Sequence, residues 1–145
     1  MNLSKFGERL SELIFDEGIT PTELSKKLGS GNSNISHYII GRFYPSLQMT
    51  LRLADYFQCT TDFLLGIESE NYAKRFKPCP PFGTRLLELC KENNITRAEL
   101  RRRTNIPESV MRYWVRGKTQ PSIVNVVKIA EALDRSVDYI LGREI

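Results

Sequence analysis

Residues 32–37 of this chain, Asn-Ser-Asn-Ile-Ser-His, crowd small polar side chains into one short stretch. Asn32, Ser33, Asn34 and Ser36 can each donate and accept hydrogen bonds, and an Asn amide matches the N6/N7 edge of adenine. That is the chemistry of recognition rather than of bond breaking. His37 is the single histidine of the chain, and no acidic cluster accompanies it. Metal ligation and general-base work therefore lack partners in the sequence. No nucleophile–base pair, phosphate loop or metal-ligand spacing occurs elsewhere, so no catalytic residue, cofactor or metal is expected.

The elements that must position these residues occur twice. Thr20–Pro45 reads TPTELSKKLGSGNSNISHYIIGRFYP, and Thr96–Pro121 reads TRAELRRRTNIPESVMRYWVRGKTQP. Position n of the first copy matches n+76 of the second. Aligning 6–66 on 82–142 without a gap gives 18 identities in 61 positions. Among them are Phe6/Phe82, Arg9/Arg85, Leu10/Leu86, Thr20/Thr96, Glu23/Glu99, Leu24/Leu100, Gly41/Gly117 and Asp62/Asp138. An internal repeat of this length defines the organisation of the chain.

Each copy reads as five helices. In the first, Leu3, Phe6, Leu10, Leu13 and Ile14 share one helical face, with Lys5, Glu8, Arg9 and Glu12 on the other, and Gly18 stops the run. Thr20 should cap the second helix by accepting the Glu23 amide, with Glu23 reaching back, and Pro21 suits the first helical position. Leu24 and Leu28 form its buried stripe. Ile35 and Tyr38 face inward from a third helix over about 32–40. Ser46 caps a fourth helix bearing Leu47, Leu51, Leu53, Ala54 and Phe57, and a short fifth follows at 61–65. In the second copy Thr96 and Glu99 repeat the cap, Met111 and Trp114 face inward, and Ser122 starts the fourth helix. Helix starts carry unpaired amides and a favourable dipole, so Thr20 and Thr96 are candidate phosphate contacts. Pro78, Pro80 and Pro81 break the pattern. The expected organisation is therefore a first domain over 1–67, a linker over 68–81 with a helical portion from Glu70 to Phe76, and a second domain over 82–145.

The 145 residues are 41% apolar, enough for packed cores, and carry a net charge of +4. The charge is uneven. Residues 1–68 hold 6 Lys/Arg against 8 Asp/Glu, whereas residues 82–145 hold 12 against 8. The second half is the electropositive one, which suits an anionic partner. Three cysteines without a CxxC spacing read as reduced thiols of a cytosolic protein. MNLSKFGERL lacks an apolar stretch of signal-peptide length, and no run reaches membrane-spanning length. A cytoplasmic location is expected.

Each copy resembles the Cro/phage-repressor-type helix-turn-helix family. The first does so over IT-PTELSKKLG-SGNSNIS and later PS, LADYF and DFLLG. The second does so over IT-RAEL, PESVM, GKTQPS and VVKIAEALDRSVDYILG. The resemblance implies an all-α fold of two tandem five-helix lambda-repressor-like domains. It implies a transcriptional regulator on double-stranded DNA, acting at a bacterial or phage nucleoid. In that family the third helix lies in the major groove. By position, base readers would be Asn32, Ser33 and His37 in the first unit, with Asn34, Ser36 and Arg42 nearer the backbone. In the second they would be Glu108, Ser109 and Tyr113, with Arg97, Arg112, Arg116 and Lys118 on the backbone. Pro21 and Arg97 replace a frequent Gln. Ser25 and Arg101 replace a small buried Ala. Thr104-Asn105 replace the Leu-Gly of the turn. Val110 and Val115 fall where exposed residues are usual. These departures leave an alternative in which the second unit is a protein-interaction or homodimerisation module, or an antitoxin component.

Overall fold

Asn2 starts the first helix, its Oδ1 accepting the amides of Ser4 at 2.8 Å and Lys5 at 3.3 Å. The structure is a computed structural model and describes residues 1–29, 32–72 and 75–144; the side chains of Asn32 and Ser33 lie outside this description. The chain divides into two compact units, Met1–Ala73 and Lys74–Ile145. The first contains α1 (Leu3–Glu17), α2 (Pro21–Leu28), α3 (Asn32–Ile39), α4 (Leu47–Phe57) and α5 (Thr61–Leu64). The second contains α6 (Phe82–Glu92), α7 (Arg97–Thr104), α8 (Glu108–Val115), α9 (Ile123–Leu133) and α10 (Val137–Leu141). Both units are all-α, as the periodicity implied.

Within unit 1, α1 packs on α3 and α5, and α2 on α3. Within unit 2, α6 packs on α8 and α10, and α9 on α7 and α10. Phe6, Leu10, Leu24, Ile35, Leu53 and Leu64 are wholly buried in unit 1. Leu86, Leu89, Leu100, Met111, Val126 and Ile140 are wholly buried in unit 2. Burying such a side chain contributes about 1.5–3 kcal/mol. Tyr38 and Trp114 are core residues, and each sets its ring against the phenylalanine of the preceding repeat helix, Phe6 at 5.8 Å and Phe82 at 5.4 Å. Leu51 and Phe57, expected inside, are only half-buried.

Gly7 and Gly83 mark the closest approach in each unit. A Cβ on Gly7 would fall 2.5 Å from the Ile39 carbonyl oxygen and 2.7 Å from that of Tyr38. A Cβ on Gly83 would fall 2.8 Å from Val115 Cα and closer still to the Trp114 carbonyl oxygen. The end of the third helix therefore rests directly on the backbone of the first. This seam sets the depth and angle of α3 and α8.

Helix stops recur with the same backbone angle at matching positions, though not with the same residue. Gly18 (φ 68°) matches Asn94 (50°), Gly29 (65°) matches Asn105 (59°), and Gln58 (54°) matches Asp134 (52°). Asn105 therefore preserves the left-handed turn that Gly29 makes. Behind it Ile106 is 2% exposed. Its apolar bulk compensates for Thr104, which stands where the first unit has Leu28. The Thr104 hydroxyl donates to the Leu100 carbonyl at 2.7 Å and accepts the Ile106 amide at 3.2 Å.

Arg9, expected on the solvent face, is instead a structural cation, and so is Arg85. Arg9 Nη1 donates to the Phe63 carbonyl and, at 3.2 Å, to that of Glu68, while its guanidinium covers the Phe63 ring. Arg85 donates to the carbonyls of Tyr139 at 2.6 Å and Ile140 at 3.2 Å. Each repeat thus uses the same arginine to donate to carbonyls at the end of its fifth helix. Arg85 also pairs with Glu88 at 3.1 Å and Glu92 at 3.2 Å. The Tyr139 hydroxyl donates to Glu92 at 2.6 Å, and this bond first, then Arg85, holds the Glu92 carboxyl below its ordinary value of 4.5. A depressed carboxylate stabilises the fold above its unfolded value, and that contribution is lost as pH falls through the folded one. Glu92→Gln is expected to make the acid limb of a stability–pH curve shallower below about pH 4.5. An unchanged acid limb in chemical unfolding at pH 3 to 6 would rule this out.

The described residues of Glu70–Phe76 do not form the expected helix. Among the described residues of that stretch, Asn71 instead donates to the Gln58 carbonyl and accepts the Thr60 amide, both at 3.2 Å, closing unit 1. Phe76 makes an isolated antiparallel bridge with Glu144, and the Lys77 amide donates to the Arg143 carbonyl at 2.9 Å. The Phe76 ring covers the Arg143 guanidinium at 3.7 Å. Tertiary pairing with the chain end outcompetes the weak helical tendency of this polar stretch. Asp138, identical to Asp62 in the repeat, pairs with Arg143 at 3.1 Å, both side chains being 2% exposed.

Candidate nucleic-acid interface

The two-helix element is built locally in each unit. Thr20 Oγ1 accepts the Glu23 amide at 3.1 Å, and Thr96 Oγ1 accepts the Glu99 amide at 3.1 Å. Both threonines are exposed at helix starts, as a phosphate contact requires. The expected return bond from the glutamate to the backbone takes a different form. Glu23 accepts the Thr20 hydroxyl at 3.2 Å, while Glu99 pairs with Arg102 and with Arg103 at 3.1 Å. Nearby cations and the hydroxyl draw the carboxylates away from the cap amide.

The seam between the two helices differs between units. Ser25 is 0% exposed and its hydroxyl donates to the Pro21 carbonyl at 3.0 Å, which lets α2 lie closely on α3. Arg101 stands at the matching position and is exposed. Accordingly α7 packs more on α9 than on α8.

On α3, Asn32 and Ser33 occupy the first turn, and their side chains fall outside the described residues. Ser36 is exposed, whereas Asn34 and His37 are half-buried. Exposed Arg42 donates to His37 Nδ1 at 3.4 Å, and His37 stacks near Phe43 at 5.3 Å. With Nδ1 as acceptor, the neutral ring carries its proton on Nε2 and offers a donor there. The structure thus joins His37 and Arg42 into one group, although sequence position assigned them to bases and backbone separately.

On α8, Glu108, Ser109, Arg112 and Tyr113 are all exposed, and Arg116 and Lys118 continue the exposed set past the helix end. Spacings of four put Glu108 with Arg112, and Ser109 with Tyr113, on neighbouring rows of one face. Among the described residues, none of these six side chains has a hydrogen-bond or ion-pair partner within the chain. Arg97 differs in being half-buried at the start of α7, with its charge near Cys90. Burial pushes the Cys90 thiol up, and Arg97 pulls it part of the way back. Val110 and Val115 are half-buried rather than exposed, so the apolar surface of α8 is smaller than its sequence suggests.

Among the described residues, no group of three or more His, Cys, Asp or Glu side chains could hold a metal ion. Nor is any described helix long and apolar enough to cross a membrane.

Comparison with known proteins agrees with this geometry. A family model described as helix-turn-helix matches residues 16–64 and 86–140, one match in each unit. The HTH-type transcriptional regulator ImmR of Bacillus subtilis (strain 168) is 37% identical over 60 residues, 41% of this chain and 47% of that protein. The match spans about half the length of that curated relative. No solved structure matches the chain. Two capped helix pairs with matching left-handed turns, each inside a five-helix unit, agree with two separate family matches. The chain belongs to the Cro/phage-repressor-type helix-turn-helix family, and carries the domain twice.

Proposed function

We propose that the chain is a sequence-specific regulator of transcription that binds double-stranded DNA in the cytoplasm, at a bacterial or phage nucleoid. One observation carries the reading. The outer face of α8 and the described outer residues of α3 are rich in hydrogen-bonding groups, and those of α8 have no side-chain partner among the described residues. Asn32, Ser33 and His37 would meet base edges from α3, and Glu108, Ser109 and Tyr113 from α8. Thr20, Asn34, Ser36 and Arg42 would meet phosphates beside the first helix. Thr96, Arg97, Arg112, Arg116 and Lys118 would do so beside the second. Major grooves on one face of DNA recur every ~34 Å, so one chain with two reading helices suits two neighbouring half-sites.

Selection from a random duplex pool tests this, by returning a motif and its spacing. In the full chain, Asn32→Ala with Ser33→Ala is expected to relax preference at the bases they meet, by about 1–3 kcal/mol per lost bidentate contact. Affinity for random duplex should persist. An unaltered motif would remove α3 from base reading.

A second reading makes unit 2 a protein-interaction or homodimerisation module. It is favoured by Tyr113 at 48% exposure, Leu87 at 49% and Val124 at 37%. The cations Arg112, Arg116 and Lys118 beside Tyr113 favour DNA instead. Arg112→Ala with Arg116→Ala decides between them: unchanged DNA affinity would support the interaction module.

A further inference from the structure

The run Arg101-Arg102-Arg103 reads as one undivided positive patch, but the structure divides it. Arg102 and Arg103 both pair with Glu99, and Arg103 also donates to the Ala132 carbonyl at 3.4 Å. Two of the three charges are therefore partly neutralised within α7, and Arg103 also reaches α9. Arg101 is exposed and has no hydrogen-bond or ion-pair partner among the described residues.

Its position on the helix is as telling as its lack of a partner. Successive residues turn by about 100° around an α-helix. Leu100 and Thr104 face the core, and Glu99 and Arg103 lie on one side of them. Arg97 and Arg101, four residues apart, share the other side. The repeat identifies that side. Ser25, the match of Arg101, is wholly buried where α2 lies on α3. A side chain that starts from this seam and ends in solvent must leave alongside the third helix. In unit 2 that helix is α8, with its unpaired Arg112 and Arg116.

We propose that Arg101 is a dedicated phosphate anchor of unit 2. It replaces the small residue of the seam by a free guanidinium that grips the DNA backbone beside α8. Arg102 and Arg103 serve α7 itself and do not touch DNA. A guanidinium suits this place because its planar fork matches phosphate oxygens and its charge is permanent. The assignment explains why the basic half of the chain tolerates a bulky residue where the first unit needs a buried serine. It rests on the DNA-binding reading above.

The test is the salt dependence of binding by the full chain, on the selected duplex and on a random duplex. Each phosphate contact contributes about 0.9 to the slope of log K against log salt. Arg101→Gln is expected to lower the slope by about one on both duplexes, and Arg102→Gln to leave it unchanged. Arg101→Lys should retain the slope, since a point charge still releases a counterion, whereas a role in packing would not be rescued. Thermal unfolding of each variant shows that the fold is kept. An unchanged slope in Arg101→Gln, or an equal fall in Arg102→Gln, overturns the assignment while leaving DNA binding in place. A wild-type chain that binds no duplex overturns the DNA-binding reading itself.

Discussion

Gly83→Ala is expected to destabilise unit 2 by about 1–3 kcal/mol, the usual cost of overpacking. The sign is not obvious beforehand. Glycine inside a helix costs about 1 kcal/mol relative to alanine, so on an open surface the same change would stabilise. Here the new methyl meets the Trp114 carbonyl and, at 2.8 Å, Val115 Cα. Both are backbone atoms, which cannot rotate away as a side-chain tip can. Either α6 or α8 must move, and α8 carries the proposed reading face. Gly7→Ala should do the same in unit 1, where the Ile39 and Tyr38 carbonyl oxygens would stand 2.5 and 2.7 Å from the new methyl. Thermal unfolding of the full chain checks this. For a unit of this size, each kcal/mol lowers the midpoint by about 4–8 °C. A midpoint that stays or rises in Gly83→Ala would show that the seam yields.

Arg143→Ala is expected to cost about 3–5 kcal/mol, the penalty for breaking a buried ion pair and leaving one charge behind. Arg143 and Asp138 are each 2% exposed and 3.1 Å apart, and Phe76 covers the guanidinium. The neighbouring bond from the Lys77 amide to the Arg143 carbonyl is made by backbone, so substitution spares it in principle. Arg143→Met separates lost packing from the lost ion pair. Alone it should still be costly, because it restores volume but leaves Asp138 charged. Combined with Asp138→Asn it should recover much of the loss. Urea unfolding of the two single variants and the double variant gives the coupling directly. A single Arg143→Met as stable as the wild type would mean that the pair contributes little.

Much of the scaffold was legible because local rules and global packing agree. The threonine caps, the apolar stripes and the inward Tyr38 and Trp114 follow from short-range chemistry. So does the survival of the turn at Asn105, since Asn tolerates a left-handed backbone. What escaped was long-range. Periodicity assigns Arg9 to the polar face because it counts a cation as solvent-seeking. It cannot see the Phe63 and Glu68 carbonyls that accept the Arg9 guanidinium. Its only outward sign was the identity of Arg9 with Arg85. Ile106 lies between helices, where periodicity says nothing, although the loss of Leu28 at Thr104 called for compensation nearby. The bridge of Phe76 to Glu144 joins residues far apart in sequence. At the candidate interface, sequence position picked out the exposed residues of α8 but not the link between His37 and Arg42. Nor did it show which arginine of the run at 101–103 is left without a partner.

The paired helix stops carry a historical consequence. Gly18 and Asn94, Gly29 and Asn105, and Gln58 and Asp134 share a positive φ while differing in residue. A non-glycine residue in that region costs roughly 1–2 kcal/mol at most, and less for Asn or Asp. Removing a glycine returns about 0.4–1 kcal/mol by restricting the unfolded chain. The two terms nearly cancel, so exchange at these stops is close to selectively neutral. Two copies of one ancestral domain could then drift at their corners without altering their architecture. The substitutions that bear on the proposed DNA contacts lie instead on the third helices and on the seam at Ser25 and Arg101.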